Sequence, residues 1–356
     1  MPNTVIIFGA GATKACGGPM TNEIMRRAFD NPGEIEREDF LACVQEFLAD
    51  NFSPAGGIDP FPPLPLLISI LDTAIDRKHS LNQKWSHSRL NDVREALDYI
   101  IFAVLNNDLQ RLQRNCYRDL LEKMYMDNDD NPVLISLNYD IIADNSVAMF
   151  NERHRHGDRP FPNYHCDVAT STYKNKVGKT SLLKLHGSLN WLYCPSCNRL
   201  DVGLSRSELS FAKVLNQLYQ EQEADGFNME ARLTCKGRPC KSCGAEVQPV
   251  LISPTYLKDY RNPHISRIWY EADQRLRAAE RVIIVGYSLP DDDLDVFYLL
   301  KRGLAHLPPE QIDVVEFDLE HRGIGDNPTG QRYQILFGSD INWYTHGFES
   351  YVNQLQ

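Results

Sequence analysis

Hydrophobic residues in this chain fall into short continuous runs that alternate with longer stretches of helical periodicity. Short continuous runs are typical of strands that are buried on both faces of a parallel sheet. They predict strands at residues 5–8, 132–137, 181–185, 281–285, 314–318 and 335–337. Apolar spacing near 3.6 residues predicts helices at residues 22–29, 40–48, 141–150, 268–279 and 294–304. Strands that alternate with helices imply an α/β fold with a mostly parallel sheet and right-handed crossovers.

Each predicted strand ends in a glycine or a polar residue. These residues are, in chain order, Gly9, Asn138, His186, Gly286, Asp318 and Gly338. The carboxyl ends of parallel strands lie at one edge of the sheet, which is where such folds bind their ligands. We therefore expect Asn138 and His186 to share a rim with the turn that follows the first strand.

That first turn has the sequence Gly9-Ala10-Gly11-Ala12-Thr13. A glycine turn between a strand and a helix lets an anion approach the backbone N–H groups, which suits a phosphate. The third glycine of the dinucleotide fingerprint is not at its usual spacing, and Gly17 and Gly18 come later. Taken alone, the turn is also consistent with a buried strand that ends in a tight turn.

The composition of the chain argues against several classes of protein. The 356 residues carry a net charge of −11, which argues against nonspecific binding to nucleic acid or to an anionic membrane. No apolar run approaches the roughly 20 residues of a membrane span, and the N-terminus has no signal-peptide pattern. Without a signal, nine cysteines favour a reducing compartment, so we expect a cytoplasmic protein.

Four of the cysteines form two C-x-x-C pairs, Cys194 with Cys197 and Cys240 with Cys243. Two such pairs suit a tetrahedral structural zinc, which leaves no open position for substrate or water. The gap between the pairs is longer than a compact ribbon needs, and Cys235 is a fifth candidate ligand. The run Asp291-Asp292-Asp293 is interpreted as a solvated helix start rather than a magnesium site.

These motifs together resemble the sirtuin superfamily. The matching elements, in the family's order, are the Gly9–Thr13 turn, Asn138-Tyr139-Asp140, His186-Gly187, both cysteine pairs and Gly286-Tyr287-Ser288-Leu289-Pro290. The resemblance implies a Rossmann-like domain that binds NAD as a substrate and cleaves its nicotinamide–ribose bond.

The resemblance also implies roles for individual residues. Gly9, Ala10, Gly11, Ala12 and Thr13 would surround the pyrophosphate. Asn138, Asp140 and His186 would be catalytic, with His186 in the place of the family's catalytic histidine. Gly286 and Ser288 would line the adenosine side, with Asp318 and Ser339 as weaker candidates for the adenine ribose and the adenine edge.

Two departures bear on the reaction. Deacylases of the family carry Pro-Asp-Phe-Arg after the glycine turn and Phe-Gly-Glu after the second cysteine pair, which helps to dock the acyl-lysine peptide. This chain has Gly18-Pro19-Met20-Thr21-Asn22 and residues 250–256 there instead. The pattern resembles the sirtuin-like NAD hydrolases of bacterial anti-phage defence, which deplete NAD. A protein deacylase or ADP-ribosyltransferase, and a non-catalytic NAD or ADP-ribose sensor, are the alternatives.

We expect three parts in the chain: a Rossmann-like NAD-binding domain (residues 1–30, 130–192 and 247–356), a helical insert (31–129) and a zinc-ribbon-like module (193–246). An NAD-depleting effector must be silent in healthy cells. We therefore expect regulation by homo-oligomerisation or by a partner in trans, such as a ring-forming ATPase or another sensor, with residues 66–128 as the contact surface.

Overall fold

A computed structural model of the chain describes residues 3–52, 61–109, 114–124, 132–154, 161–205, 228–229 and 238–355. The chain divides into two compact units. Unit 1 comprises Met1–Gly18, Leu109–Leu251 and Tyr260–Gln356, and unit 2 comprises Pro19–Asp108 and Ile252–Asp259. The domain boundaries predicted above stay a prediction. In the described ranges, no helix combines the length and the apolar character that crossing a membrane requires.

Twelve strands are described. They are β1 (Thr4–Phe8), β2 (Val133–Ser136), β3 (Phe161–Asn163), β4 (Val177–Lys184), β5 (Gly187–Cys194), β6 (Arg199–Val202), β7 (Leu204–Ser205), β8 (Asn228–Met229), β9 (Gln248–Leu251), β10 (Arg281–Val285), β11 (Ile312–Val315) and β12 (Asn342–Tyr344). The helices are α1 (Ala10–Ala15), α2 (Ile24–Asp30), α3 (Glu38–Asn51), α4 (Leu64–Asp76), α5 (His87–Leu109), α6 (Cys116–Lys123), α7 (Ile142–Arg153), α8 (Ser171–Lys176), α9 (Pro263–Arg277), α10 (Leu294–Gly303), α11 (Pro328–Phe337) and α12 (Gly347–Gln354).

Unit 1 is built on a seven-stranded sheet with the order β12-β11-β10-β1-β2-β4-β3, and every pairing in it is parallel. The predicted fold class is confirmed. All five residues of β1 are buried, as the continuous apolar run requires of a central strand with both faces covered. From β1 the chain builds outward through β2 to β4, and β10 then pairs on the other side of β1. The order of strands therefore reverses between β1 and β10, where such sheets bind their ligands.

The predicted sixth strand, residues 335–337, is wrong. These residues end helix α11, which Asn327 caps by accepting hydrogen bonds from the N–H groups of Thr329 and Gly330. Ile335 is 74% exposed while Leu336 is buried, so the short run is one turn of an amphipathic helix. The strand at this edge of the sheet is β12. Its three residues are only half-buried, so they need not be apolar and give no continuous apolar run in the sequence.

Smaller sheets complete unit 1, with strand orders β6-β5-β9 and β7-β8. In the three-stranded sheet, β5 pairs antiparallel with both neighbours. Unit 2 contains helices α2 to α5, and Arg94 on α5 forms ion pairs there with Asp72 and Asp98. The predicted helical character of this part of the chain agrees with the described residues.

A buried ion pair lies beneath the carboxyl edge of the large sheet. Lys184 at the end of β4 and Asp144 on α7 are fully buried, and their Nζ and Oδ2 atoms are 3.1 Å apart. Tyr164 donates to the other oxygen of Asp144 at 2.5 Å, and Lys184 also donates to the main-chain oxygen of Asp140. The lysine thereby ties α7 and the turn before it to the sheet.

Replacing Lys184 with Met should lower the free energy of unfolding by about 3–5 kcal/mol, because Asp144 would keep a buried charge without its cation. Urea unfolding followed by circular dichroism measures the change. Lys179→Met is the control, since Lys179 is exposed on the same strand and should cost less than about 0.5 kcal/mol. Equal losses in the two variants would contradict a stabilising role for the pair.

Candidate functional site

The glycine turn lies against the turn that follows β10. The N–H of Gly11 donates to the main-chain oxygen of Gly286 at 2.7 Å, and the N–H of Gly9 donates to that of Val285 at 3.0 Å. A Cβ atom on Gly9 or Gly11 would lie 2.6 or 2.7 Å from atoms of the opposite turn. Glycine is thus required at both positions of this turn for the backbone contact. The helix α1 begins at Ala10, so residues 10–13 of the predicted turn form its first part.

Asn138 follows β2 and points into the glycine turn. Its Nδ2 atom donates to the main-chain oxygen of Gly9 at 2.8 Å and to Oγ1 of Thr13 at 3.0 Å. The hydroxyl of Tyr117 on α6 is 3.3 Å from the same nitrogen. The side chain is 8% exposed, so its amide is held in one orientation by the turn that it contacts.

Asp140 stands at the start of α7 and continues the same network. Its Oδ2 atom accepts a 2.5 Å hydrogen bond from Thr13, and its Oδ1 atom accepts from the N–H of Ile142. Burial raises the pKa of Asp140, while the ammonium of Lys184 and the Thr13 hydroxyl act in the opposite direction. Thr13 therefore connects Asn138 and Asp140 through a single hydroxyl.

His186 follows β4 and is 5% exposed. Its Nδ1 atom lies 3.1 Å from the main-chain oxygen of Leu137, and because a carbonyl only accepts, Nδ1 carries the proton of this bond. Its Nε2 atom forms no hydrogen bond with the described residues and lies 3.4 Å from Oδ1 of Asp293. The residue before Asn138 thus orients the histidine, which brings the two predicted catalytic residues to one rim.

Asp293 is a site residue that the sequence interpretation missed. The solvated helix start predicted for the Asp291–Asp293 run is wrong at this position, because Asp293 is 4% exposed. Its Oδ2 atom accepts a 2.7 Å hydrogen bond from Tyr287, in the turn after β10. The hydroxyl of Tyr260 is also buried nearby, and both burial and the charge of Asp293 raise its pKa. A local pattern of three aspartates before a helix carries no signal for a histidine 107 residues earlier.

The residues predicted for the adenosine side lie beyond β10. Gly286 has a φ of +61°, and the main-chain oxygen of Ser288 accepts a 2.7 Å hydrogen bond from Arg332. Asp318 is buried, and its carboxylate is bound by Arg322 and Asn327, which hold its pKa far below the usual range. Ser339 is exposed after α11 and accepts from Gln334. The roles of these residues toward an adenosine stay predictions.

The four predicted zinc ligands come together at one point. The sulfur atoms of Cys194, Cys197, Cys240 and Cys243 all lie within 4.8 Å of one another. Cys194 and Cys243 are 3.5 Å apart, and Cys197 and Cys240 are 3.7 Å apart. Tetrahedral zinc–thiolate geometry sets its sulfurs about 3.8 Å apart, so the residues fit a structural zinc.

The backbone around these sulfurs also suits thiolate ligands. The N–H groups of Ser242 and Cys243 point toward the second pair and lower the pKa of Cys240 to about 7. Gly244, with a φ of +76°, turns the chain after Cys243. Cys235, the fifth candidate, lies outside the described residues. The strand β5 begins directly after His186 and ends at Cys194, so the cysteine cluster and the candidate catalytic histidine flank one strand.

Among known proteins, the matches to this chain are solved structures. No protein-family model matches the chain, and no curated protein matches its sequence. Solved Sir2 homologues align over 99% of this chain. A Sir2 homologue in complex with NAD is 13% identical over 87% of its own chain, with a TM-score of 0.42. A Sir2 homologue mutant with ADP-ribose is 12% identical over 89% (TM-score 0.44), and a Sir2–p53 peptide–NAD+ structure is 14% identical over 90% (TM-score 0.41).

Replacing Gly286 with Ala should cost at least about 3 kcal/mol of unfolding free energy. Its new Cβ would lie 2.3 Å from the main-chain nitrogen of Ala12, in addition to the strain of a positive φ. Gly338→Ala is the matched control, because Gly338 has a φ of +89° with nothing within 4 Å and should cost only about 1–2 kcal/mol. Urea titration of both variants tests the difference, and similar losses would contradict the close backbone contact.

The purified chain should contain about one zinc ion, measured by inductively coupled plasma mass spectrometry. Cys197→Ser and Cys240→Ser should each lose the metal and lower the melting temperature, because binding energy of the metal is folding energy. Cys43→Ser is the control, since this half-buried cysteine lies on α3 in the other unit. Retention of zinc in both ligand variants would overturn the assignment.

Proposed function

We propose that this chain is an NAD hydrolase of the sirtuin-like kind, which cleaves the nicotinamide–ribose bond to give nicotinamide and ADP-ribose. The single observation that carries the proposal is the contact of Asn138 with the main-chain oxygen of Gly9. It joins a turn suited to pyrophosphate with a polar side chain suited to the reacting ribose, at the switch point of a parallel sheet.

The chemistry fits the groups at this rim. Nicotinamide in NAD is already a cationic leaving group, and breaking its bond to ribose builds an oxocarbenium-like centre, as in glycoside cleavage. Asn138 would hold a ribose hydroxyl or the attacking water, and the buried carboxyl of Asp140 would orient the amide. His186 would act as general base from Nε2, because Nδ1 is committed to the Leu137 carbonyl.

Two features favour hydrolysis over transfer to a protein. The residues that would dock an acyl-lysine peptide are replaced by residues 250–256. In addition, the end of β9 packs tightly on the start of β5, since a Cβ on Gly187 would lie 2.0 Å from the main-chain oxygen of Val250. We infer that water, rather than an acyl-lysine, is the acceptor.

Incubation with NAD alone should release nicotinamide and ADP-ribose, detected by liquid chromatography, without any acylated peptide. Asn138→Ala and His186→Ala should each lower kcat by about 100-fold or more. His306→Gln is the control, because this exposed histidine precedes the amino end of β11 and should leave turnover unchanged. Strict dependence on an acylated peptide would favour the deacylase, and tight binding without any release would favour the sensor.

We further propose that the activity serves anti-phage defence in the cytoplasm and is switched on by homo-oligomerisation or by a partner in trans, such as a ring-forming ATPase. The support is physiological: uncontrolled NAD loss would kill the host. Turnover should therefore rise on assembly, which size-exclusion chromatography with parallel NAD assays would follow. Full activity of a dilute monomer would contradict this regulation.

A further inference from the structure

The ring of His186 is held between two acceptors that come from different parts of the chain. On one side Nδ1 donates to the main-chain oxygen of Leu137. On the other side Nε2 faces Oδ1 of Asp293 at 3.4 Å. Both side chains are at least nine-tenths buried, so water screens this contact little.

Asp293 is itself fixed in place. Its second oxygen accepts the hydroxyl of Tyr287 at 2.7 Å, and the main-chain oxygen of Tyr287 accepts the hydroxyl of Tyr333 at 2.6 Å. Asp293 also precedes the ten-residue helix α10, whose N-terminus favours a carboxylate over a neutral acid. A charged carboxylate is therefore presented to the histidine on a rigid support.

This arrangement has a consequence for protons. In the neutral ring, Nδ1 carries the single proton, so Nε2 is unprotonated and lies 3.4 Å from an oxygen of a carboxylate. When Nε2 takes a proton, the same contact becomes an ion pair and both nitrogens have acceptors. The carboxylate thus favours transfer of a proton to Nε2 over its loss.

We propose that Asp293 is the positioning residue of His186: it orients the ring and stabilises the imidazolium that forms when Nε2 takes a proton from a ribose hydroxyl or from water. The catalytic part of this assignment rests on the proposed NAD cleavage. The O–H bond breaks with its electron pair left on the hydroxyl oxygen, the proton binds Nε2, and Oδ1 of Asp293, 3.4 Å away, stays ionised. The charge of the imidazolium is then balanced by a carboxylate that never itself has to gain the proton.

Other titratable groups surround the pair. The ring of Tyr139 lies 6.3 Å from that of His186, and Tyr287 and Tyr260 face Asp293. Burial and the charge of Asp293 raise the pKa of Tyr260 and of Tyr287, so both hydroxyls stay neutral in the range where a histidine titrates. Asp292 and Asp295 add negative charge near Tyr260 and raise its pKa further.

The first test measures protons without turnover. Nitrogen-15 labelling of the ten histidines gives NMR signals, and the signal missing in His186→Gln identifies His186. In Asp293→Asn the midpoint of this titration should move to lower pH by about one unit, because the carboxylate charge is lost. Asp291→Asn removes the same charge from an exposed position of the same run and should move it by less than about 0.2 unit.

Asp293→Glu keeps the charge and should leave the midpoint within about 0.3 unit of that of the parent protein. If Asp293→Asn does not fold, Asp293→Ser replaces it, because the serine variant also lacks the carboxylate and should show the same shift of the His186 midpoint to lower pH. Equal midpoints in the parent protein and in every variant that lacks the carboxylate would overturn the assignment.

The second test uses NAD turnover across pH. In Asp293→Asn the ascending limb of kcat/KM should move to lower pH, because a weaker base loses its proton at lower pH. The plateau should fall by about 10- to 100-fold, because a weaker base accepts a proton from the substrate less readily. A merely structural role would lower the plateau and leave the limb in place, which would also overturn the assignment. An NMR midpoint that moves in a chain that never cleaves NAD would sink the proposed function and keep the histidine–aspartate pairing.

Discussion

The contact between two backbone turns, one after β1 and one after β10, determines the rest of this structure. No side chain separates them, since a Cβ on Gly286 would lie 2.3 Å from the nitrogen of Ala12. A distance set by main-chain atoms cannot be adjusted by a change of rotamer. Asn138 then donates to the same turn, and Thr13 of that turn donates to the carboxylate of Asp140. The candidate site is therefore rigid where a substrate would meet the backbone.

Much of the fold is predictable because central strands of a parallel sheet must be apolar on both faces. That requirement produces the continuous runs that mark β1, β2 and β10. It does not apply at an edge, where β12 is half-buried and carries no such run. The three apolar residues at 335–337 are too few to distinguish a strand from a helix by their pattern. In the structure they belong to α11, which buries only one of its sides.

The candidate site was predictable only in part. The ends of strands can be predicted from the sequence, because a buried run that stops at Asn138 or His186 places a polar group at the edge of the sheet. The hydrogen-bond and ion-pair partners of those polar groups cannot be predicted in this way. Asp293 reaches His186 from a turn near the other end of the chain, and its local sequence is that of any exposed helix start. Pairing across such a separation is a property of the fold, which no local spacing records.

The strand β5 connects the cysteine cluster to the candidate catalytic histidine. Its eight residues begin after His186 and end at Cys194, a span of about 26 Å at the usual rise per residue. A thiolate cluster at one end thus anchors the strand whose other end carries the candidate base. The ring of His186 has its own contacts with Leu137 and Asp293, so the cluster bears on the main chain of β5 rather than on the ring itself.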